Sequence, residues 1–280
     1  MADGYRQKLV ELGTEADEDL PILQSLLLLS AAQRDKQIDL TPYEAHIVAM
    51  HDALTLLAGD NPDGKPVLEF RLDCLNRVIR GEFKYHPDRS GYDEIENIDF
   101  IRVIDRRAGI PVALGAIYLE LARRQGWKVV GLSFPGHFLI RLEDGGADRR
   151  IVDPYYDGKM MEAPDLRKLV KQVMGANAEL NANYYNPVTP RDVVLRFCNN
   201  RKTRLIQQEE YQKAFDLVLL EQMVAPDEPR LLFDAGMLCV RLDQIQRAID
   251  YLNDFIVRSK DKNTVAEARE IIRGLQIVLQ

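Results

Sequence analysis

The chain has 280 residues, of which 46% are hydrophobic and 29% are charged, and its formal net charge is −7. This composition is typical of a folded globular protein with one large or two medium domains. An acidic chain with dispersed lysines and arginines argues against nucleic-acid binding as its main role.

The cysteines and the apolar segments indicate the compartment. Cys74, Cys198 and Cys239 are too far apart for a disulfide framework or a zinc pattern. No apolar run approaches membrane-spanning length, and MADGYRQKLVELG at the N-terminus lacks the features of a signal peptide. A cytoplasmic protein without a membrane partner is predicted. The sequence contains no phosphate loop and no dinucleotide fingerprint, so no cofactor is predicted.

The N-terminal part is predicted to be helical. Asp19-Leu20-Pro21 opens an apolar helix, and Thr41-Pro42-Tyr43-Glu44 predicts a capping box with proline at the first helical position. Further helices are predicted over Val67–Ile79 and Ile98–Asp105. The polar loop Phe83–Asp93 between them is a candidate border of a pocket.

The stretch RRAGIPVALGAIYLELARRQGW, residues 106–127, predicts a central helix. Pro111 suits the first helical position, Gln125 is the last residue of the helix, and Gly126 suits the left-handed cap. Apolar residues recur at helical spacing between these ends, so one face of the helix is expected to be buried.

A short antiparallel hairpin is predicted after this helix. The β-branched run Lys128–Leu132 is followed by two strands, His137–Leu142 and Ile151–Asp153, with the glycine-containing loop Glu143–Asp148 between them. The two ends of such a hairpin lie side by side. We therefore expect the first residue, His137, to bond the last, Asp153, so that the carboxylate fixes the imidazole tautomer.

These motifs, together with FPGHFLIRL and VDPYYDG, resemble the SirB-one family, a bacterial branch of the transglutaminase-like superfamily. The resemblance implies a papain-like core in a cytoplasmic bacterial protein with a regulatory role. It also implies that a nucleophilic cysteine would stand at the start of the central helix, and that His137 and Asp153 are the other two catalytic positions.

The nucleophile is missing from this sequence. Pro111, Val112 and Ala113 occupy the start of the helix, and none of them can form a thiolate. The three cysteines lie in other segments and are expected to be small buried residues. We therefore predict a non-catalytic protein, a pseudoenzyme.

Several side chains are predicted to line the remaining pocket, and no metal site is predicted. The ligand-binding candidates are Arg106, Arg107, Pro111, Phe134 and Tyr155. His137 and Asp153 remain as a residual dyad, which either contacts a ligand or serves as a structural hydrogen bond. The alternative is a hydrolase or transferase in which His137 acts as a general base oriented by Asp153.

The C-terminal part is predicted to be all helical. The breaker-rich stretch Asn181–Pro190 predicts a boundary between domains at 1–186 and 187–280, with Thr189 capping a helix that begins at Pro190. Ala214 and Ala248 are 34 residues apart, which is the period of tetratricopeptide repeats, although an unrelated helical bundle remains an alternative.

The whole sequence thus predicts an α+β protein. A helical N-terminal segment precedes a transglutaminase-like or papain-like core with a small antiparallel sheet, and an all-α tetratricopeptide-like region follows. The predicted function is binding: a ligand in the core, and a protein or peptide partner on the helical repeats. The sequence does not assign an oligomeric state.

Overall fold

The computed structural model describes residues 3–34, 36–59, 61, 64–88 and 98–278. The chain divides into two compact units. The core unit comprises Ala16–Ala31 and Ile38–Phe197, and the repeat unit comprises Met1–Glu15, Ala32–Gln37 and Cys198–Gln280. The C-terminal boundary between these compact units lies between Phe197 and Cys198 and not between residues 186 and 187. The domain boundary at 186 and 187 stays a prediction. Two short N-terminal segments belong to the unit of the C-terminal helices, although they are distant from it in sequence.

Helices make up most of the described chain. Their bounds are α1 (Asp3–Gly13), α2 (Ile22–Ala32), α3 (Thr41–Ala58), α4 (Val67–Asn76), α5 (Phe100–Arg106), α6 (Pro111–Arg124), α7 (Ala163–Met174), α8 (Pro190–Gln207), α9 (Tyr211–Val224), α10 (Arg230–Arg241), α11 (Ile245–Arg258) and α12 (Lys262–Val278). Within the described residues, none is long and apolar enough to cross a membrane.

The strands in the described part of the core unit form one antiparallel sheet and one small parallel pair. Their bounds are β1 (His86–Pro87), β2 (Ala108–Gly109), β3 (Lys128–Leu132), β4 (Ile140–Glu143), β5 (Arg149–Asp153), β6 (Lys159–Met160) and β7 (Pro187–Val188). The order in the antiparallel sheet is β6-β5-β4-β3-β7, and β1 pairs with β2 in parallel. The predicted α+β class is confirmed.

The central helix α6 is buried on every side rather than on one face. All twelve residues from Pro111 to Ala122 are buried. The helix packs against β3 as well as against α3 and α4. Gly115 allows the Phe138 ring to pack closely against the helix, because a Cβ atom at this position would lie 2.3 Å from Phe138 Cδ1. The expectation of a single buried face is therefore wrong, since the surrounding elements enclose the helix.

The second predicted strand starts later than expected. Strand β4 begins at Ile140, so His137 lies in the turn before the strand and not at its first position. Gly136 has a φ of +62°, in the left-handed region that interrupts an extended strand. The predicted hairpin pairing of β4 with β5 is present, with Ile140 opposite Val152.

Two predicted helix starts have different outcomes. Helix α3 begins at Thr41, but its N-cap is Leu40, whose side chain makes no capping hydrogen bond, so the predicted capping box is wrong. Asp39 accepts the Thr41 N–H instead, at 2.9 Å. At α8 the prediction is confirmed, because Thr189 Oγ1 accepts the N–H of Asp192 at 3.1 Å.

Two other predicted segments are modified. The helix predicted over Val67–Ile79 is α4 followed by a π-helical turn at Arg77–Glu82. The helix predicted over Ile98–Asp105 is α5, at Phe100–Arg106. Of the predicted loop Phe83–Asp93, the part from residue 89 to residue 93 lies outside the described residues.

The repeat unit has the internal periodicity that the sequence predicts. Helices α9, α10, α11 and α12 pack in sequential pairs. Gly236 lies against the second helix of its pair, since a Cβ atom there would come within 2.8 Å of Leu252 Cγ. Glu209 and Asp243 are 34 residues apart and have φ values of +59° and +58° in corresponding turns. The same backbone turn therefore recurs at the repeat spacing.

Candidate functional site

A buried histidine–aspartate pair lies at the centre of the predicted site. His137 Nε2 is 2.8 Å from Asp153 Oδ2, and the two residues are 7% and 0% exposed. The other carboxylate oxygen, Oδ1, accepts the backbone N–H groups of Tyr155 at 2.9 Å and Tyr156 at 3.1 Å. The carboxylate therefore connects the His137 turn to the turn that follows β5.

Arg196 of α8 fixes the backbone of the His137 turn. Its guanidinium donates to the carbonyl oxygen of His137 at 2.7 Å and to that of Phe134 at 3.0 Å. The same group lies over the Phe138 ring, 5.4 Å from its centroid. The sequence prediction missed Arg196, because it is 59 residues from His137 in a helix with no local signal for this role.

Aromatic rings surround the imidazole. Tyr156 stacks on His137 with a centroid distance of 5.8 Å and an interplanar angle of 25°, and Tyr155 meets it edge-on at 6.0 Å. The Tyr155 hydroxyl donates to the carbonyl oxygen of Asp88 at 2.9 Å. The predicted ligand-binding residue Tyr155 therefore joins the histidine to the segment that contains Asp88.

The predicted ligand-binding residue Phe134 lies in an apolar core. It is 1% exposed and packs in a cluster of buried residues at the sheet and α7, with Tyr184 edge-on at 5.8 Å. The members of this cluster are Leu132, Phe134, Leu139, Leu166, Leu169 and Val170. The Phe134 side chain is therefore part of the apolar core.

The adjacent residues Arg106 and Arg107 lie in different environments. Arg106 forms an ion pair with Asp88 at 2.8 Å. Arg107 has a φ of +56° and donates to His46 Nε2 at 2.7 Å. Burial lowers the pKa of His46 to about 4, with a further contribution from the Arg107 charge, so the imidazole is neutral and accepts this hydrogen bond. Arg107 is thus a structural group, whereas Arg106 faces a cleft.

That cleft has a volume of about 500 Å³. Within the part of the chain that the structure describes, the cleft is lined by Arg80, His86, Pro87, Asp88, Arg106, Ala108 and Asp157. Four of the predicted site residues thus fall into two groups. His137, Asp153 and Tyr155 lie together, and Arg106 lies in the cleft connected to them through Asp88 and Tyr155.

The start of α6 contains no nucleophile. Pro111, Val112 and Ala113 are all buried there, and Ile110 at the N-cap makes no side-chain capping bond. The three cysteines are unpaired and buried. Burial raises the pKa of the thiols of Cys74, Cys198 and Cys239, which disfavours the reactive thiolate.

Two sequence profiles match this chain. Residues 41–199, more than half of its length, match the transglutaminase-like superfamily. Residues 202–273 match the tetratricopeptide repeat. These matches confirm the predicted superfamily and the predicted repeats.

Individual relatives occur in bacteria and in mammals. A UPF0162 protein of Xylella fastidiosa is 26% identical over 250 residues, which cover 88% of this chain and 86% of the relative. A UPF0162 protein of Vibrio cholerae is 28% identical over 186 residues, 66% of this chain and 68% of the relative. F-box only protein 21 of Mus musculus is 29% identical over 202 residues, 66% of this chain but 31% of that protein. Because residues 41–199 match the superfamily model, this chain belongs to the transglutaminase-like superfamily.

Proposed function

We propose that this chain is a non-catalytic member of the superfamily, of the bacterial SirB-one type. In this proposal the core unit binds a ligand, the repeat unit binds a protein or peptide partner, and the protein has a regulatory role in the cytoplasm. The observation that carries the proposal is the start of α6, where Pro111, Val112 and Ala113 stand in place of a nucleophile.

The thiols present are poorly suited to replace the missing one. Cys74 donates to the carbonyl oxygen of Leu57 at 3.6 Å, and burial raises its pKa. Cys198 is buried, and both burial and the nearby Glu221 carboxylate raise its pKa. A nucleophilic cysteine needs surroundings that stabilise the thiolate, and these surroundings do the opposite.

A structural role accounts for the retained histidine and aspartate. The Asp153 carboxylate accepts hydrogen bonds from His137 and from two backbone N–H groups, and it has no exposed surface. A buried polar group that loses its hydrogen-bond partners destabilises the folded state. The pair therefore stabilises two turns beside the cleft even if it carries out no chemistry.

The repeat unit supports the proposed partner binding. Tetratricopeptide repeats stack into extended surfaces on which partner segments bind. The match over residues 202–273 and the recurring turns at Glu209 and Asp243 favour such a surface in this chain. The net charge of −7 favours a protein partner over a nucleic acid.

Partner capture with alkylated protein tests the proposal. Full-length protein serves as bait in an extract of the source cell, before and after treatment with iodoacetamide under native conditions. We expect slow labelling of all three cysteines and the same captured protein from both baits. If one cysteine labels rapidly and the capture is then lost while the circular dichroism spectrum is unchanged, the non-catalytic assignment is wrong.

A second candidate function is hydrolysis or group transfer without cysteine. It is favoured by the 2.8 Å contact between His137 Nε2 and Asp153 Oδ2, which orients the imidazole as in a general base. Among the described residues, no hydrogen bond to the other ring nitrogen, Nδ1, occurs. Water or a substrate hydroxyl could donate to this nitrogen.

The second candidate predicts a loss of biological function when His137 is replaced. His137→Gln retains a polar group of similar size, so a loss of function without a loss of thermal stability would support catalysis. Full function in the cell with His137→Gln would exclude it and leave the binding proposal in place.

A further inference from the structure

The cleft of about 500 Å³ is built from at least four separate parts of the core unit. The strand pair β1 and β2 contributes His86 and Ala108, and the end of α5 contributes Arg106. The π-helical turn at Arg77–Glu82 contributes Arg80, and the turn between β5 and β6 contributes Asp157. The volume is within the range of small-molecule sites, roughly 300–1,000 Å³. The residues of the His137–Asp153 pair are not among those that line it.

The cleft contains two ion pairs. Among the described residues that line it, two guanidinium groups and two carboxylates form the pairs Arg106–Asp88 and Arg80–Asp157. The Asp88 side chain is 4% exposed, whereas the Asp157 side chain is 75% exposed. The Asp157 carboxylate is therefore accessible to a ligand cation while it remains bonded to Arg80.

The backbone around the cleft is strained. Lys84, Arg107 and Asp157 have φ values of 61°, 56° and 59°, which non-glycine residues rarely adopt. Each is in, or within two residues of, a segment that lines the cleft. Gly158 continues the last turn at a φ of +62°, and its carbonyl oxygen accepts a hydrogen bond from Asn76 at 3.3 Å. Strain that packing maintains in this way is concentrated at functional sites.

The mixed charges restrict the kind of ligand. The two guanidinium groups repel a metal cation. Within the described residues, no group of three or more side chains could hold a metal ion. Two carboxylates equally oppose a phosphate or another polyanion. A ligand that carries one charge of each sign satisfies both sets of groups, because guanidinium groups bind carboxylates and carboxylates bind ammonium groups.

We propose that this cleft binds a small zwitterion with one carboxylate and one ammonium group, of about the size of a dipeptide. Arg106 contacts the ligand carboxylate, and Asp157 contacts the ligand ammonium. The inference rests on the proposed binding function of the core unit and specifies its ligand class. Tyr155 links the cleft to the His137–Asp153 pair. Its hydroxyl donates to the carbonyl oxygen of the lining residue Asp88, and its ring packs edge-on against His137.

Three alanine dipeptides test the charge requirement. The probes are Ala-Ala, N-acetyl-Ala-Ala, which lacks the ammonium group, and Ala-Ala-amide, which lacks the carboxylate. Binding to the full-length protein is measured by NMR titration, with inorganic phosphate as a fourth probe. We expect saturable shifts with Ala-Ala and at least about tenfold weaker binding of the other three, because one charged contact is lost in each.

Two variants test the position of the site. Asp157→Asn suits the left-handed backbone, in which asparagine is common, and it should weaken Ala-Ala binding about tenfold or more. Asp52→Asn is the control, since Asp52 is 70% exposed on α3 and does not line the cleft. Arg106→Lys retains the charge beside Asp88 but loses the planar guanidinium group that binds a carboxylate with two hydrogen bonds. Because Ala-Ala and N-acetyl-Ala-Ala both carry the carboxylate, their affinities should fall by the same factor.

Some outcomes would contradict the inference. No saturable shift with Ala-Ala, or equal affinity for all three dipeptides, would overturn it, as would equal effects of Asp157→Asn and Asp52→Asn. These measurements use purified protein and no partner, so they can fail while the captured partner and the unreactive cysteines still support the proposed function. Conversely, rapid cysteine labelling would refute the non-catalytic assignment without changing the dipeptide result.

Discussion

Arg196 of α8 holds the carbonyl oxygen of His137 at 2.7 Å, and so a helix fixes the turn that positions the imidazole. The carbonyl of Phe134 accepts from the same guanidinium at 3.0 Å. The turn precedes β4 and receives this support from outside the sheet. The orientation of His137 therefore depends on a side chain from a distant part of the sequence as well as on Asp153.

Replacement of Arg196 by methionine should destabilise the core unit. The unfolding free energy should fall by roughly 2–4 kcal/mol, because each hydrogen bond from a charged donor contributes roughly 1.5–3 kcal/mol and the two are not additive. Urea unfolding monitored by the fluorescence of Trp127, the single tryptophan, measures this change. The control is Arg167→Met on the exposed surface of α7, and an equal effect of both variants would contradict the assigned role.

The His137–Asp153 pair should show a measurable coupling free energy. Asp153→Ala leaves the N–H groups of Tyr155 and Tyr156 without their acceptor, so it should destabilise the protein by roughly 2–4 kcal/mol and more than His137→Ala does. A double-mutant cycle should give a coupling of about 1–3 kcal/mol. A coupling near zero would mean that the 2.8 Å contact contributes nothing to stability.

Replacement of Gly115 in α6 by alanine should destabilise the protein. A Cβ atom at Gly115 would lie 2.3 Å from Phe138 Cδ1, so Gly115→Ala should lower the unfolding free energy by about 1–3 kcal/mol through overpacking. Gly274→Ala in α12 is the matched control, because nothing lies within 4 Å of its Cβ position.

In that control the substitution should raise stability by up to about 1 kcal/mol, since alanine is the better helix former. Thermal unfolding of both variants measures the difference. Similar changes at Gly115 and Gly274 would show that Phe138 does not limit the space at α6.

A buried ion cluster should make the stability of the repeat unit depend on pH. Lys202 Nζ lies 2.5 Å from Asp234 Oδ2 and 3.4 Å from Glu221 Oε2, and Glu221 is fully buried. Burial raises the pKa of Glu221 to about 7, although the Lys202 charge acts in the opposite direction. The same carboxylate and Asp234 raise the pKa of Lys202, against the effect of its burial.

The sign of the pH dependence follows from the raised pKa. Between the usual glutamate pKa of 4.5 and about 7, the folded state holds a proton that the unfolded state has released. Stability should therefore decrease as pH rises through this range, by on the order of 3 kcal/mol in total, and level off above it.

Urea unfolding of Glu221→Gln and the wild type at pH 4.5, 6 and 8 measures this effect. The variant should be less sensitive to pH over this range, since its side chain does not titrate. The control is Glu210→Gln, which removes a half-exposed carboxylate in the same unit. A wild-type curve no steeper than that of Glu221→Gln would contradict the raised pKa.

Local sequence signals predicted most of the elements well. The start of α6 at Pro111 and the pairing of β4 with β5 depend on residues near one another in the chain, and both predictions are confirmed. The predictions of a strand that starts at His137 and of a capping box at Thr41 were wrong for physical reasons. The left-handed φ of Gly136 and the position of Asp39 before α3 changed where the regular hydrogen bonding begins.

The surroundings of the site depended on contacts that no local pattern encodes. Arg106 and Arg107 are adjacent and chemically identical, yet one lines the cleft and the other bonds His46. The left-handed backbone at Arg107 turns its side chain toward the half-buried His46. Likewise, Asp157 lines the cleft because the turn after β5 brings it to Arg80, which is 77 residues away.

The sequence by itself determined the superfamily, the absence of a nucleophile at the start of α6 and the period of the helical repeats. These properties depend on residue identity and spacing, which can be read without coordinates. Only the tertiary structure decided that Arg196 supports the His137 turn, that Phe134 is part of the apolar core, and that two ion pairs line a cleft in the core unit. Such contacts join residues far apart in sequence, and packing of the whole core unit selects which side chains meet.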